Sequence, residues 1–418
     1  VSAPGAAAAA GGDDRRALRW VAALYVIAVV VATVQRGGLL PGGLENNFAI
    51  FRWAPTHLRL GQDLYAFWPG QHDDQFKYSP TFAFLFTPYA PWPFALGLTL
   101  WNATSAYAVW HAVTRLLPPR AAAWGLGLAF VEVLTNLQRA QTNALCAALI
   151  ILAFLAIERE QPWRAAVAIA AGTFIKLFPL AAVAFGAWSR RAWRLAVAVP
   201  AVLVAFAALP LVVTSPARLA EQYRSWRATE ARDADELQFD CLSCVKRVDG
   251  AGLYGGVMQQ LRFWTGLPVP NWPVQLAGTV LLLLPLAWRW RDRGDAAFRR
   301  VFLSSLLVYC VIFNHQSESP SFVIAMLGVT TWWAGSARTR WQTTVMVLVV
   351  LFVSVAYSDL VPGTWRSEFF GRYRIKTVPC LLAWIAMQWE LWRGAPMPAP
   401  PVPGLHDSDP PTHVPASA

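Results

Sequence analysis

Charge is what this sequence has least of. Charged residues make up 14% of its 418 residues and hydrophobic ones 56%, with a mean hydropathy of +0.39. A soluble domain of this size carries about 25% charge, so an ordinary water-soluble globule is excluded. The ten-residue alternating segments of a transmembrane β-barrel are missing too. Cysteine is also scarce, five in all. Cys146, Cys310 and Cys380 lie in apolar runs, where a thiol is a small core residue. Cys241 and Cys244 form CLSC without a second ligand pair or a βαβ context, so a local disulfide is expected there rather than a zinc or thioredoxin site. The opening SAPGAAAAAGGDD has no cleavable signal pattern, and no fixed-period repeat is visible.

Acids are fewer than bases, 24 against 35, for a net charge of +11. The bases do not form a nucleic-acid footprint. They cluster at the ends of apolar runs: Arg15, Arg16 and Arg19; Arg115 and Arg120; Arg190, Arg191 and Arg194; Arg289 to Arg300; Arg338 and Arg340. Basic loops of this kind mark the cytoplasmic side of a membrane protein. The apolar runs, each about 17–25 residues, are long enough to cross roughly 30 Å of hydrocarbon. The fold class is therefore all-α and polytopic. Spans are expected near 18–35, 94–116, 121–136, 143–157, 195–213, 272–288, 301–313, 320–335, 342–357 and 375–392.

Residues 165–188 are different, because both flanks are basic and Lys176 and Pro179 interrupt the run. A broken pair of half-helices, entering and leaving on the cytoplasmic side, satisfies both flanks, and irregular backbone at depth is tolerated where protein buries it. The total is about twelve helices in a domain over 18–392. A flexible segment, 1–17, is expected before it and a proline-rich, disordered tail, 393–418, after it, both cytoplasmic. Outer loops fall at 36–80 and 214–268. Within the first, FAIFRWAPTHLRL reads as a short interfacial helix.

With that topology the polar residues sort to one side. Glu45, Asp63, Asp73, Asp74, Lys77, Tyr78, Arg139, Gln141, Asn143, Asn314, His315 and Glu318 fall at the extracytoplasmic end. Glu132 lies in the outer half of its span and Lys176 near the apex of the broken pair. Ionisable residues at membrane depth are costly and point to function. The set suits group transfer from an anionic lipid: a carboxylate deprotonates an acceptor hydroxyl, and Lys77, Arg139, Lys176 and His315 stabilise a departing phosphate. Each also has a plainer reading, as a snorkelling anchor for the cations or a turn or helix cap for Asp63. Asp233-Ala234-Asp235 looks like a metal-holding nucleotide-sugar motif, but its outer-loop position sets it away from cytoplasmic nucleotides.

The ordered set ENNFAIFRWAPTHLRLGQDLY, FKYSPTFAFLFTPYA, RAQTNALCAALIILAFLAIERE, GTFIKLFPLAAV and FNHQSESPSFVIA, over about 45–390, resembles glycosyltransferase family 87, of the GT-C fold. The resemblance implies a bacterial inner-membrane enzyme that transfers a sugar, such as mannose, with inversion. Its donor would be a polyprenyl-phosphate sugar and its acceptor a lipid or glycan, with no nucleotide; the sequence assigns no cofactor and no metal-ligating residue. It also implies an aspartate base in the first outer loop, a place that aligns here with Asn47, and an amide cannot serve as a base. Glu45 and Asp63 are the substitutes; if the chain is extended at Glu45, its side chain points the same way as that of Asn47. Asn47, Lys77, Tyr78, Arg139, Gln141, Asn143, Lys176, His315 and Glu318 would then bind substrate. Two other classes stay open: a lipid or glycan flippase, which would spread charge along a crossing path and show repeats, and a non-catalytic envelope-assembly protein.

Overall fold

The computed structural model describes residues 4–41, 43–239, 255–371 and 373–393. Among these there is no β-sheet, only an isolated antiparallel bridge between Gly37 and Leu44. The chain is an all-α polytopic membrane protein. Its helices are α1 (Pro4–Arg36), α2 (Asn46–Leu60), α3 (Pro80–Leu85), α4 (Phe94–Leu116), α5 (Pro119–Gln138), α6 (Asn143–Glu158), α7 (Pro162–Ile175), α8 (Ala192–Ala208), α9 (Pro216–Phe239), α10 (Val257–Thr265), α11 (Asn271–Trp288), α12 (Ala296–Ile312), α13 (Phe322–Ala334), α14 (Arg340–Val349) and α15 (Thr377–Arg393). Setting aside the short or polar α2, α3, α9 and α10 leaves eleven α-helices. With the 3₁₀ segment Phe178–Trp188, they account for the expected twelve.

Three helices are long and apolar enough on their own to cross a bilayer: Gly12–Arg36, Ala192–Val212 and Asn271–Trp288. Others, such as α6 and α13, are shorter because they sit inside the bundle. Twelve residues of α13 are buried, and it packs against α12, α5 and α6. A helix sheathed by other helices does not have to match the hydrocarbon thickness alone.

The break in 165–188 is real. Lys176 is extended (φ −145°, ψ 145°) at the end of α7, and Pro179 cannot continue the α-helical ladder. The chain returns as eleven residues of 3₁₀ helix, Phe178–Trp188, much longer than such helices usually run. Gly172 lets the two arms meet: a Cβ there would lie 2.7 Å from the Pro179 Cβ.

Two expectations change. The helix expected over 18–35 begins at Pro4; residues 6–10 are all alanine, the residue with the highest helix propensity. The 214–268 stretch is not simply loop. It holds the 24-residue α9 and then α10. Leu219, Gln222, Tyr223, Trp226, Thr229 and Glu230 follow a helical three-to-four spacing, and Leu219, Gln222 and Thr229 are buried. Cys241, Cys244 and the tail from 394 lie outside the described residues.

A second core lies beside the bundle, built from the 45–86 stretch. Phe48, Phe51, Phe76, Phe82, Phe86 and Trp101 form it, with rings edge-on, as aromatic quadrupoles favour; Phe51 and Phe82 are 5.2 Å apart at 89°. Ser79 caps α3, accepting from the Phe82 N–H at 3.1 Å, and its hydroxyl donates to the Phe174 carbonyl on α7. Helix α9 closes over this core. Gln222 donates to the Gln62 carbonyl (2.9 Å) and accepts from the Leu64 N–H (3.0 Å), while Tyr223 meets Thr81 at 2.7 Å.

The long-range polar contacts join chain ends that the charge pattern had placed on the same side. At the arginine-rich end, Arg299 holds Glu158 (2.7 Å), Glu160 accepts from Ser189 (3.0 Å) and Glu390 accepts from Trp332 (2.9 Å). At the opposite end, Gln138 meets Gln35 (2.6 Å) and Gly255 donates to the Ser317 carbonyl (2.6 Å). Cys146, Cys310 and Cys380 are buried, so single cysteines can report the two faces once Cys241 and Cys244 are replaced by serine. A membrane-impermeant maleimide added to intact cells should label Asp73→Cys, and should label Arg190→Cys only after the membrane is opened. Labelling of both from one side would refute the two-sided arrangement.

Candidate active site

The site is organised by the four-residue turn between α5 and α6. Ala140 there has φ +48°, the left-handed region that costs a residue with a Cβ about 1 kcal/mol or more. Three hydrogen bonds hold it. Asn136 donates to the Gln141 carbonyl (2.9 Å) and accepts from the Ala144 N–H (3.2 Å), and Trp101 donates to the Ala140 carbonyl (2.9 Å). A fourth comes from the first outer stretch, where the Asn47 amide donates to the Arg139 carbonyl (3.0 Å).

On one side of the turn stand Glu45, Asn47, Arg139 and Arg36. Glu45 is 6% exposed and faces Arg36 at 4.0 Å. Glu45 is itself extended (φ −68°, ψ 118°), but the extended stretch ends there, before Asn47. It is the N-cap residue of α2, and Asn47 already lies in the first helical turn, so the strand alternation that would align the two side chains does not hold. Burial pushes the Glu45 carboxyl above its ordinary range, against the opposing pull of Arg139, Arg36 and the Asn47 N–H. On the other side Lys176 donates to the Asn143 side-chain carbonyl (2.8 Å). Glu318 and Glu230 are the carboxylates whose charge acts on both the Lys176 ammonium and the Tyr78 phenol. The two groups are joined by residues 139–143, no more than about 14 Å of chain.

Thus Glu45, Asn47, Arg139, Gln141, Asn143, Lys176, Tyr78 and Glu318 gather around one turn. Gln141 is buried there, its carbonyl taken by Asn136. Lys77 is half-buried between the aromatic core and Tyr78 in the chain. Asp63 is exposed and its carboxylate accepts from the Tyr65 N–H (3.0 Å), the turn role. His315 stands further along, its ring 3.3 Å from the Gln275 amide on α11, with its carbonyl held by Gln259.

Two residues were missed from sequence. Glu230 lay in a stretch read as loop, and the three-to-four spacing of α9 is the signal that would have found it. Lys376 forms a buried pair with Glu132, 2.9 Å apart, at 6% and 2% side-chain exposure, and also donates to the Ser319 hydroxyl (3.0 Å). Its signal is rarity. Only four of the 35 basic residues are lysines, Lys77, Lys176, Lys246 and Lys376; arginine does the anchoring elsewhere.

Comparison with known proteins bears on this arrangement. The sequence profile of glycosyltransferase family 87 matches residues 76–314, more than half of the chain. The chain belongs to glycosyltransferase family 87. It is therefore a membrane glycosyltransferase. The family 87 match takes in Lys77, Tyr78, Arg139, Gln141, Asn143, Lys176 and Glu230, and leaves out Glu45, Asn47, Asp63, His315 and Glu318. No curated protein matches the chain. Among solved structures it is similar to ArnT from Cupriavidus metallidurans bound to undecaprenyl phosphate (12% identity over 90% of this chain and 77% of that one, TM-score 0.40). It is also similar to the same protein in the apo state (14%, 89% and 76%, TM-score 0.42). A third is the Archaeoglobus fulgidus oligosaccharyltransferase in the apo form (12%, 88% and 56%, TM-score 0.40).

The buried pair gives the first test of this region. Lys376→Met leaves Glu132 buried without a counter-charge and should cost about 3–5 kcal/mol of stability, whereas Lys376→Met with Glu132→Leu should cost much less. Unfolding of the purified protein in detergent measures both, and equal losses would show that the pair is not what holds the site's edge.

Proposed function

We propose that this family 87 enzyme, in a GT-C-like arrangement, moves a sugar, mannose being the first to test, from a polyprenyl-phosphate donor to a lipid or glycan acceptor. We place the reaction at the membrane end away from the arginine loops, the extracytoplasmic face of a bacterial inner membrane. The observation that supports this reading is the 139–143 turn, which brings Lys176, bonded to Asn143, and the buried Glu45 to the two sides of one short stretch of backbone.

The roles follow from the chemistry. One Lys176 N–H is spent on Asn143, leaving two for a phosphate oxygen. The leaving phosphate gains charge as the bond from its oxygen to the sugar C1 breaks, and a preplaced ammonium stabilises that charge. The acceptor hydroxyl attacks C1 as its proton passes to a carboxylate, and Glu45 is the one assigned. Asn47 does not act as base; it ties α2 to the turn. Asp63, spent on its own turn, is the second choice.

Two measurements test these roles, with purified protein in liposomes and radiolabelled polyprenyl-phosphate sugars. Lys176→Met should lower turnover far more than Arg293→Ala at the opposite end, and equal effects would refute the anion site. A base must be ionised, so the rate should rise with pH through the Glu45 pKa. That limb should lie above the usual glutamate value of about 4.3 and move further up in Arg139→Ala, which removes a cation that favours the carboxylate. Glu45→Gln should cost on the order of 10²–10⁴ in rate. A Glu45→Gln enzyme with normal turnover and the same acid limb would pass the role to another carboxylate.

A further inference from the structure

At the arginine-rich end, far from the turn just described, a cavity of about 330 Å³ opens between the ends of α4, α6 and α7, within the usual size of ligand pockets. Its rim carries His111, Arg115, Arg159 and Arg164, and its apolar wall includes Leu155 and Ala168. Arg115 and Arg164 are exposed, while Leu155 and Ala168 are 3% and 9% exposed, so the charged rim faces outward and the floor is greasy.

The two nearest carboxylates are turned away. Glu158 is held by both ends of the Arg299 guanidinium, each at 2.7 Å. Glu160 accepts from the Ser189 hydroxyl (3.0 Å) and from the Arg190 and Arg191 N–H groups (2.9 and 3.1 Å). Among the described residues none of Arg115, Arg159 and Arg164 forms an ion pair, and Arg164 has only the neutral Gln161 amide oxygen, at 3.2 Å. Helices α4 and α6 end at the rim and α7 begins there, so the dipoles leave about half a negative charge, and the three arginines outweigh it. Snorkelling anchors need no cavity behind them, and a water-soluble anion needs no apolar wall.

We propose that this cavity binds an anionic phospholipid of the adjoining leaflet, its phosphate among the three arginines and the first methylenes of its chains on the α6–α7 wall. Guanidinium forks match phosphate oxygens. The site is independent of the transfer reaction, and its test does not use activity.

Native mass spectrometry of the full-length protein in detergent, titrated with phosphatidylglycerol or phosphatidylcholine, reads the binding directly. Phosphatidylglycerol should be retained at least tenfold better. Arg115→Gln, Arg159→Gln and Arg164→Gln together should bring it to the phosphatidylcholine level, at about fivefold for each arginine, the usual worth of a basic residue at an anionic surface. Three lysines in their place should keep most of the binding, and Arg190→Gln, at the same end but off the cavity, should change nothing. Ala171→Phe, which keeps every charge and fills the wall, should also lower retention, so the result does not hang on the triple variant folding. Millimolar glycerol 3-phosphate should fail to displace the lipid. Equal retention of the two lipids, undiminished binding in the glutamine or Ala171→Phe proteins, an equal loss in Arg190→Gln, or displacement by glycerol 3-phosphate would each overturn the proposal.

Discussion

One buried amide holds the working end of this protein together. Asn136 spends its N–H on the Gln141 carbonyl and its oxygen on the Ala144 N–H, bridging the last turn of α5 to the first turn of α6. Without that bridge Ala140 has little reason to stay in a left-handed conformation, and an unpaired amide in a closed bundle costs about 1–3 kcal/mol. Everything else at this end leans on the turn: Trp101 from α4, Asn47 from α2, and Asn143, which presents its oxygen to Lys176. The turn is rigid because four elements agree on it, and so the groups on its two sides keep a fixed separation.

The division into two cores explains how a polar stretch can serve a membrane enzyme. The bundle is closed by alanine, leucine and valine on long helices. The 45–86 stretch could not join it, since its acids and amides would be stranded in hydrocarbon. It buries phenylalanines against one another instead, beside α4 and under α9, and leaves its polar groups on the side that meets the site. The stretch is thus folded largely by its own aromatics, and Glu45, Asn47, Ser79 and Thr81 are among the side chains that fasten it to the bundle.

Much of this was legible in the sequence, and the unread parts share a cause. Run length and arginine placement located the spans and the break at Lys176, because membrane thickness and interface charge leave few alternatives. The convergence of Asn47, Arg139, Asn143 and Lys176 followed once the ends were sorted by side. Local geometry did not follow: whether the extended chain at Glu45 runs on to Asn47 or turns helical at Asn46 depends on where α2 begins, and helix ends shift by a residue or two on slight preferences. Partners far apart in sequence were hidden as well. Glu132 announced itself as a charge needing company, but nothing in its neighbourhood named Lys376, 244 residues away.

The unequal arms of the broken pair carry a consequence for depth. The fourteen residues of α7 rise about 21 Å at 1.5 Å each. The eleven residues of the 3₁₀ arm fall about 22 Å at 2.0 Å each. The larger rise per residue therefore lets a shorter piece of chain return to the level it left. With both arms along the bilayer normal, the apex, and Lys176 with it, would lie about 21 Å above the arginine end of a hydrocarbon layer roughly 30 Å thick. An anion that met Lys176 would then sit some 9 Å below the far headgroups, by the same arithmetic. An isoprenoid tail already lies in that layer and draws its phosphate down with it; a nucleotide sugar has no apolar part to do so.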